Sequence, residues 1–238
     1  MKGIKRFFAY FTAIELTLYL SSMALITLAF VIFDRVDYFK FISSLIGATA
    51  LIFCAKGNPI GQAFVILFGT LYAIISYSYR YYGEMITYAG MTLPMAVIAL
   101  ISWLKNPFNG NKSEVAVNRI KGKEVVFMFI LTAVVTTAFF FILRALNTTN
   151  LIPSTISIAT SFVAVYLSGR RSAFFALAYA LNDIILIVLW VMATVNDISY
   201  VSVVICFTTF LANDLYGFFN WLKMERRQRK ATLKRDTE

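Results

Sequence analysis

Two asparagine-aspartate pairs, Asn182-Asp183 in ALAYALNDIILIVLW and Asn213-Asp214 in FLANDLYGF, interrupt runs that are otherwise almost wholly apolar. A carboxylate held among such residues can offset a cation or carry a proton, and an amide can bind hydroxyl groups. Aromatic residues accompany both pairs. On a helix Tyr179 falls on the same face as Asn182 and Asp183, and Trp190 continues that stripe. Tyr216, Phe210 and Asn220 flank the second pair. Flat rings, amides and carboxylates together suit a flat, hydroxylated, cationic solute.

The elements that position these residues follow from composition. Of 238 residues 60% are hydrophobic and only 14% charged, with a mean hydropathy of +0.74, so lipid is the solvent and the chain is an all-α integral membrane protein. Eight runs are long enough to span, near 12–33, 38–55, 60–79, 84–104, 124–146, 151–168, 173–194 and 198–222. Each must be helical, because lipid cannot satisfy free backbone groups. The runs 38–55 and 151–168 are short and rich in Ser, Thr and Gly, which favours close helix packing.

Asp183 then sits about 11 residues, or ~16 Å, from the start of its helix, and Asp214 about 9 residues, or ~13 Å, from the end of its own. These matching midplane depths let the four polar groups face one another. A central Asp costs roughly 2.5 to 3.5 kcal/mol to insert, so both pairs should point into the bundle. The plainer alternative is polar glue, hydrogen bonds between helices with no further role. Glu15, near the start of its span, is expected to snorkel toward the headgroups.

Of the 22 Lys and Arg residues, only Arg35, Lys40, Arg80 and Arg144 fall on one side of the eight-helix topology. The remainder, with both termini and the 105–123 loop, therefore face the cytoplasm. The net charge of +10 needs no nucleic acid to explain it, since basic loops beside anionic lipid suffice. There is no histidine, and Cys54 and Cys206 lie in apolar runs without metal-binding spacing. No metal, cofactor or catalytic constellation is expected. Lys2, Lys5 and Arg6 before an apolar run imitate a signal peptide, but Glu15 interrupts the run and no cleavage pattern follows, so the segment reads as a retained helix.

A faint repeat is also visible. The tripeptide Trp-Leu-Lys closes the fourth and eighth spans, at Trp103 and Trp221, and Ala-Thr recurs at Ala48-Thr49 and Ala159-Thr160. This suggests an N-terminal helix (1–37), a three-helix bundle (38–104), a cytoplasmic loop and linker helix (105–146), a second three-helix bundle (147–222) and a basic tail (223–238). An odd linker helix leaves the bundles in parallel orientation, as in some small-solute transporters.

Read together, AKGNPIGQAFVILFGTLYA (55–73), YYGEMITY (81–88), LPMAVIALISWLK (93–105), SGRRSAFFALAYALNDIILIVLW (168–190) and DISYVSVVICFTTFLANDLYGFFNWLK (197–223) resemble the PnuC family of bacterial vitamin-precursor transporters. The likeness covers nearly the whole chain and is strongest to Gram-positive members. It implies a 3+1+3 SWEET-like core assembled as a homotrimer in the bacterial plasma membrane. It also implies inward facilitated diffusion of nicotinamide riboside, trapped by intracellular phosphorylation, and a carrier rather than an enzyme; no GxxxxGK[ST] is present. The expected site is Tyr179, Asn182, Asp183, Asn213 and Asp214, with Gln62, Tyr72, Trp190 and Tyr216 as further candidates. Gly57, Pro59, Gly61 and Pro94 would aid rocking of the bundles. The family's WxxWxxxN pattern is not met: with Asp183 at the asparagine position the tryptophan positions hold Ala176 and Tyr179, and with Asn182 there they hold Phe175 and Ala178. Phe68 stands near an asparagine common on the third helix. Thiamine, riboflavin and deoxynucleosides therefore stay open as cargo, as does an accessory or sensor role.

Overall fold

The computed structural model describes residues 10–78, 82–148 and 150–236. Lys2, Lys5, Arg6, Arg80 and Glu238 lie outside the described residues. Eight apolar helices long enough to cross a membrane account for almost all of the rest: α1 Ala13–Asp34, α2 Tyr38–Ala55, α3 Ile60–Ser78, α4 Tyr82–Lys105, α5 Gly122–Ala145, α6 Leu151–Gly169, α7 Phe175–Thr194 and α8 Ile198–Arg235. The eight expected spans are thus present, with boundaries displaced by a few residues except at α8. That helix runs well past Trp221 into the basic segment, where Met, Glu, Arg, Gln, Lys and Ala are all good helix formers.

Helix α8 is the hub, packing against α7, α2 and α1, while α3 lies on α2, α6 on α7, and α4 joins α3 to α6. Small residues set these approaches. Gly47 on α2 leaves room for the Phe210 ring of α8, which a Cβ there would meet at 2.5 Å. Gly61 brings α3 against α2 so closely that a Cβ would lie 2.5 Å from the Cys54 backbone nitrogen. Helix α5 packs chiefly on α6 and exposes Phe127, Phe129 and Phe141 outward, as a lipid-facing helix would.

Two helices contain a π-helical turn, Phe30–Asp34 in α1 and Tyr88–Thr92 in α4. The second precedes Pro94, whose ring would clash with the carbonyl four residues earlier and which donates no N–H. Widening that turn lets α4 continue through the proline.

Glu15 does not snorkel. It is 2% exposed, accepts hydrogen bonds from the Thr12 backbone N–H (2.7 Å) and the Tyr216 hydroxyl (3.1 Å), and pairs with Lys56 at 2.8 Å. Lys56 in turn sits 4.6 Å over the Tyr10 ring. The cation comes to the carboxylate at the end of α2, so Glu15 fastens α1 to α2 and α8 instead of reaching for water.

Between α4 and α5 a short hairpin forms, β1 Pro107–Phe108 and β2 Asn111–Val115. Its Asn109-Gly110 turn has positive φ at both residues (47° and 78°), the geometry that hairpin strands favour. The hairpin is anchored rather than loose. The Val115 N–H donates to the Gly57 carbonyl (2.9 Å), and the Gln228 side chain bonds both the Val115 carbonyl (2.9 Å) and the Val117 N–H (2.8 Å). Arg171 donates to the Ala116 carbonyl and to Ser102 Oγ, and Glu225 and Glu114 pair with Arg119 and Arg227. The long α8 is therefore the post to which this basic end of the molecule is tied.

Candidate functional site

A cavity of about 620 Å³ lies between α2, α3, α4, α6, α7 and α8. At one end it reaches the loop residues Asn147, Asn150, Asn196 and Asp197; at the other it stops at Cys54, Gln62, Val165 and Phe175. It is open away from the basic loops and closed toward them.

The closure has a paired construction. Trp103 of α4 and Trp221 of α8, both 0% exposed, lie with ring centroids 5.2 Å apart. Trp103 Nε1 donates to the Ser168 carbonyl near the end of α6, and Trp221 Nε1 donates to the Cys54 carbonyl near the end of α2, each at 2.8 Å. The Phe175 ring packs edge-on against both indoles, at 5.9 and 4.8 Å. The Trp-Leu-Lys repeat thus marks two reciprocal contacts across the sealed end. The chain after each accepting carbonyl also turns alike, with left-handed residues at Gly57 (φ 67°) and Arg171 (φ 56°).

Asp183 and Asp214 meet in this cavity. They are 4% and 5% exposed, and both line its wall, one from α7 and one from α8. Among the described residues no amide, hydroxyl or cation bonds either group, and Asp183 Oδ2 is buried without a partner.

The asparagines do not join them. Consecutive residues on a helix point about 100° apart, so the Asn and Asp of one pair cannot face the same neighbour. Asn182 still lines the cavity but turns its carbonyl to α6, toward the hydroxyls of Thr160 (2.8 Å), Ser161 (3.0 Å) and Ser157 (3.2 Å). Asn213 turns to α1, donating to Ser22 Oγ at 2.8 Å and to the Thr209 carbonyl at 2.7 Å. Tyr216 lies on that side too, spent on Glu15. Neither Asn213 nor Tyr216 lines the cavity.

The remaining sequence candidates do. Tyr179 lies on the floor beside Phe175, Gln62 donates to Ser168 Oγ at 3.1 Å, and Trp190 packs 5.2 Å from Tyr200 near the mouth. Tyr72 is 4.6 Å from Tyr88 and 5.5 Å from Phe68, which also approaches Phe210 at 6.0 Å. Phe68, Tyr72, Tyr88 and Phe210 form an aromatic wall that no spacing rule joined, because the rings come from three helices. Glu84, Tyr88 and Asp197 also line the cavity, and the sequence reading did not single them out. The charge pattern was the missed signal: Glu84, Asp183, Asp197 and Asp214 line the cavity, and among the described residues no Lys or Arg does. Asp197, at the mouth, is held below the ordinary carboxylate range by the backbone and side chain of Ser199, whose N–H lies 2.9 Å from its Oδ1. The field inside such a cleft favours cations.

An all-helical, multi-pass membrane protein with a cavity sealed at one end defines the class. The family follows from comparison. The profile described as nicotinamide mononucleotide transporter matches residues 37–223, and the chain belongs to that family. It is 24% identical over 224 residues to the nicotinamide riboside transporter PnuC of Neisseria mucosa, covering 92% of this chain and 83% of that one. The protein of the same name from Haemophilus influenzae is 24% identical over 193 residues, covering 80% and 82%. Among solved structures, a crystal structure of the vitamin B3 transporter PnuC superposes with a TM-score of 0.79 at 21% identity, over 92% of this chain and 94% of that one, which establishes the fold. Relatives named as transporters agree with reading this chain as a carrier rather than an enzyme.

Proposed function

We propose that this protein carries nicotinamide riboside across a bacterial plasma membrane. The observation that bears most weight is the cavity lining, which among the described residues offers four acids, no Lys or Arg and a wall of rings to a solute entering between the helices. Nicotinamide riboside combines a cationic aromatic ring with a hydroxylated sugar. The ring would lie against Tyr72, Tyr88 and Phe68 with its charge facing Asp183 and Asp214, and the ribose hydroxyls would meet Asn182, Gln62 and the serines of α6. The tyrosine and phenylalanine wall takes over the stacking that tryptophans supply in the family pattern. Asn213 and Tyr216 would act only by bracing α8 against α1.

In this reading residues 38–104 and 147–222 are two bundles that rock about the site, giving alternating access. The reciprocal indole bonds of Trp103 and Trp221 support it, since a lock shared evenly between two halves can release as a unit. Both termini and the Trp103–Trp221 end face the cytoplasm, the 105–146 segment links the bundles, and transport is facilitated diffusion drawn inward by phosphorylation of the cargo. The SWEET-like arrangement, homotrimeric assembly and affinity to the Gram-positive members belong to the same proposal. The test is counterflow: proteoliposomes preloaded with unlabelled nicotinamide riboside should take up the labelled compound. Thiamine is the competing cargo, because its thiazolium ring is also an aromatic cation. Competition by each compound decides between them, and neutral riboflavin and deoxynucleosides should compete poorly.

A further inference from the structure

The sealed end carries an inference beyond the choice of cargo, and it rests on the reading above of two halves that rock about the site. We propose that residues 106–118 form a latch that travels with the second half, so that the end opens by parting β2 from the turn after α2. Gln228, on the part of α8 beyond Trp221, is the positioning residue that assigns the latch to that half.

The latch lies on the seal itself. Val115 is 0% exposed and shares one apolar cluster with Trp103, Trp221, Phe175 and Met224. On one side it meets the turn after α2: the Val115 N–H donates to the Gly57 carbonyl at 2.9 Å, and a Cβ at Gly57 would lie 3.4 Å from Val115 Cγ1. On the other side the same segment is bonded to the turn after α6 and to α8. A segment tied to two bodies cannot keep both sets of bonds while the bodies separate. One set must give way.

The two sets are unequal. The Gln228 amide, 5% exposed, accepts from the Val117 N–H (2.8 Å) and donates to the Val115 carbonyl (2.9 Å), much as a neighbouring strand would, and donates also to Glu114 (2.8 Å). Asn118 donates its backbone N–H to the Arg171 carbonyl (3.0 Å) and its amide to the Arg170 carbonyl (3.1 Å), and Arg171 Nε returns a bond to the Ala116 carbonyl (3.1 Å). The ion pairs Glu114–Arg227 and Arg119–Glu225 flank them. Against these, among the described residues, the turn after α2 offers the Val115–Gly57 bond. Hydrogen bonds of one kind have similar net strength, so the side that makes more of them keeps the segment. The parting line therefore runs through Val115–Gly57, Arg171–Ser102 and the two indole bonds, Trp103–Ser168 and Trp221–Cys54. Every one of these joins the stretch 38–104 to chain that follows it.

The test uses the full-length protein in proteoliposomes, with counterflow of labelled nicotinamide riboside as the assay and its thermal shift as the binding readout. Two cysteine pairs place a cross-link on either side of the latch: Gly57→Cys with Val115→Cys ties it to the turn after α2, and Glu114→Cys with Arg227→Cys ties it to α8. Oxidised with copper phenanthroline, the first pair should slow counterflow about tenfold or more, and dithiothreitol should restore it. Its thermal shift should persist, because the cavity opens at the other end. The second pair, oxidised, should stay within about twofold of its reduced rate. A first pair that is cross-linked and still transports at its reduced rate, or a second pair that is blocked, overturns the latch and leaves the carrier reading intact. Wild-type vesicles without counterflow remove both. A side chain at Gly57 strains a left-handed residue (φ 67°), so Gln228→Ala supplies an arm that leaves the turn untouched. A latch that travels with α8 keeps the Gln228 bonds in both states, so Tm should fall while counterflow per folded protein stays within about twofold. A severalfold faster counterflow in Gln228→Ala would show that α8 holds the end shut through this segment, and would overturn the proposal.

Discussion

The turn after α2 and the turn after α6 are built alike, yet the helices they lead into carry different side chains. Cys54 and Ser168 each accept an indole N–H from the opposite stretch of chain, and Gly57 and Arg171 each take the left-handed conformation three residues on. Four residues further, Gly61 brings α3 hard against α2, whereas Phe175 starts α7 with a ring wedged beside both tryptophans. Eleven residues past each turn stand Phe68, in the aromatic wall, and Asn182, tied to α6 hydroxyls, followed by Gly69 and Asp183 respectively. The two stretches agree where the end is sealed and differ where the cavity is lined.

Breaking the close approach should have the largest effect. Gly61→Ala sets a Cβ against the Cys54 backbone, which cannot turn aside as a flexible side chain could, and should cost about 3 kcal/mol; thermal unfolding in detergent would register it as a large drop in Tm. The site comes next. Asp183→Asn keeps the shape but removes the charge, and should weaken cation binding on the order of 100-fold, or about 2.8 kcal/mol, measured by thermal shift against nicotinamide riboside concentration.

The seal provides the direct check on equivalence. Trp103→Phe and Trp221→Phe each remove an indole N–H bond to a carbonyl that keeps a backbone donor, at about 0.5 to 1.5 kcal/mol, and the two losses in Tm should match. A clear difference between them would show that the two contacts are not equivalent. The smallest effect is expected at the asymmetric position. Phe68→Asn removes one ring from the wall and should weaken binding about fivefold, or ~1 kcal/mol, without a matching loss of stability.

The fold was legible because lipid leaves so little choice: length and apolar content alone placed all eight helices. The Trp-Leu-Lys repeat was visible only as a sign of two bundles, and its indole bonds across the sealed end were not legible. The site was legible in part. Asp183 and Asp214 could be brought together from depth alone, since both sit near midplane on consecutive antiparallel helices. Their asparagine neighbours were misplaced because depth says nothing about rotation around a helix axis, and the 100° step sends Asn213 to α1. The aromatic wall was not legible, because Phe68, Tyr88 and Phe210 are distant in sequence and meet only through helix packing. Glu15 was misread for a related reason: its partner Lys56 lies 41 residues away.

The central claim is that the acid-lined, ring-walled cavity carries nicotinamide riboside through Asp183 and Asp214. Counterflow of the labelled compound into preloaded proteoliposomes tests it most directly. The account predicts rapid uptake by the wild-type protein, inhibition by unlabelled nicotinamide riboside, and loss of uptake in both Asp183→Ala and Asp214→Ala. Wild-type vesicles that take up no label, or alanine variants that take it up as the wild type does, would contradict it.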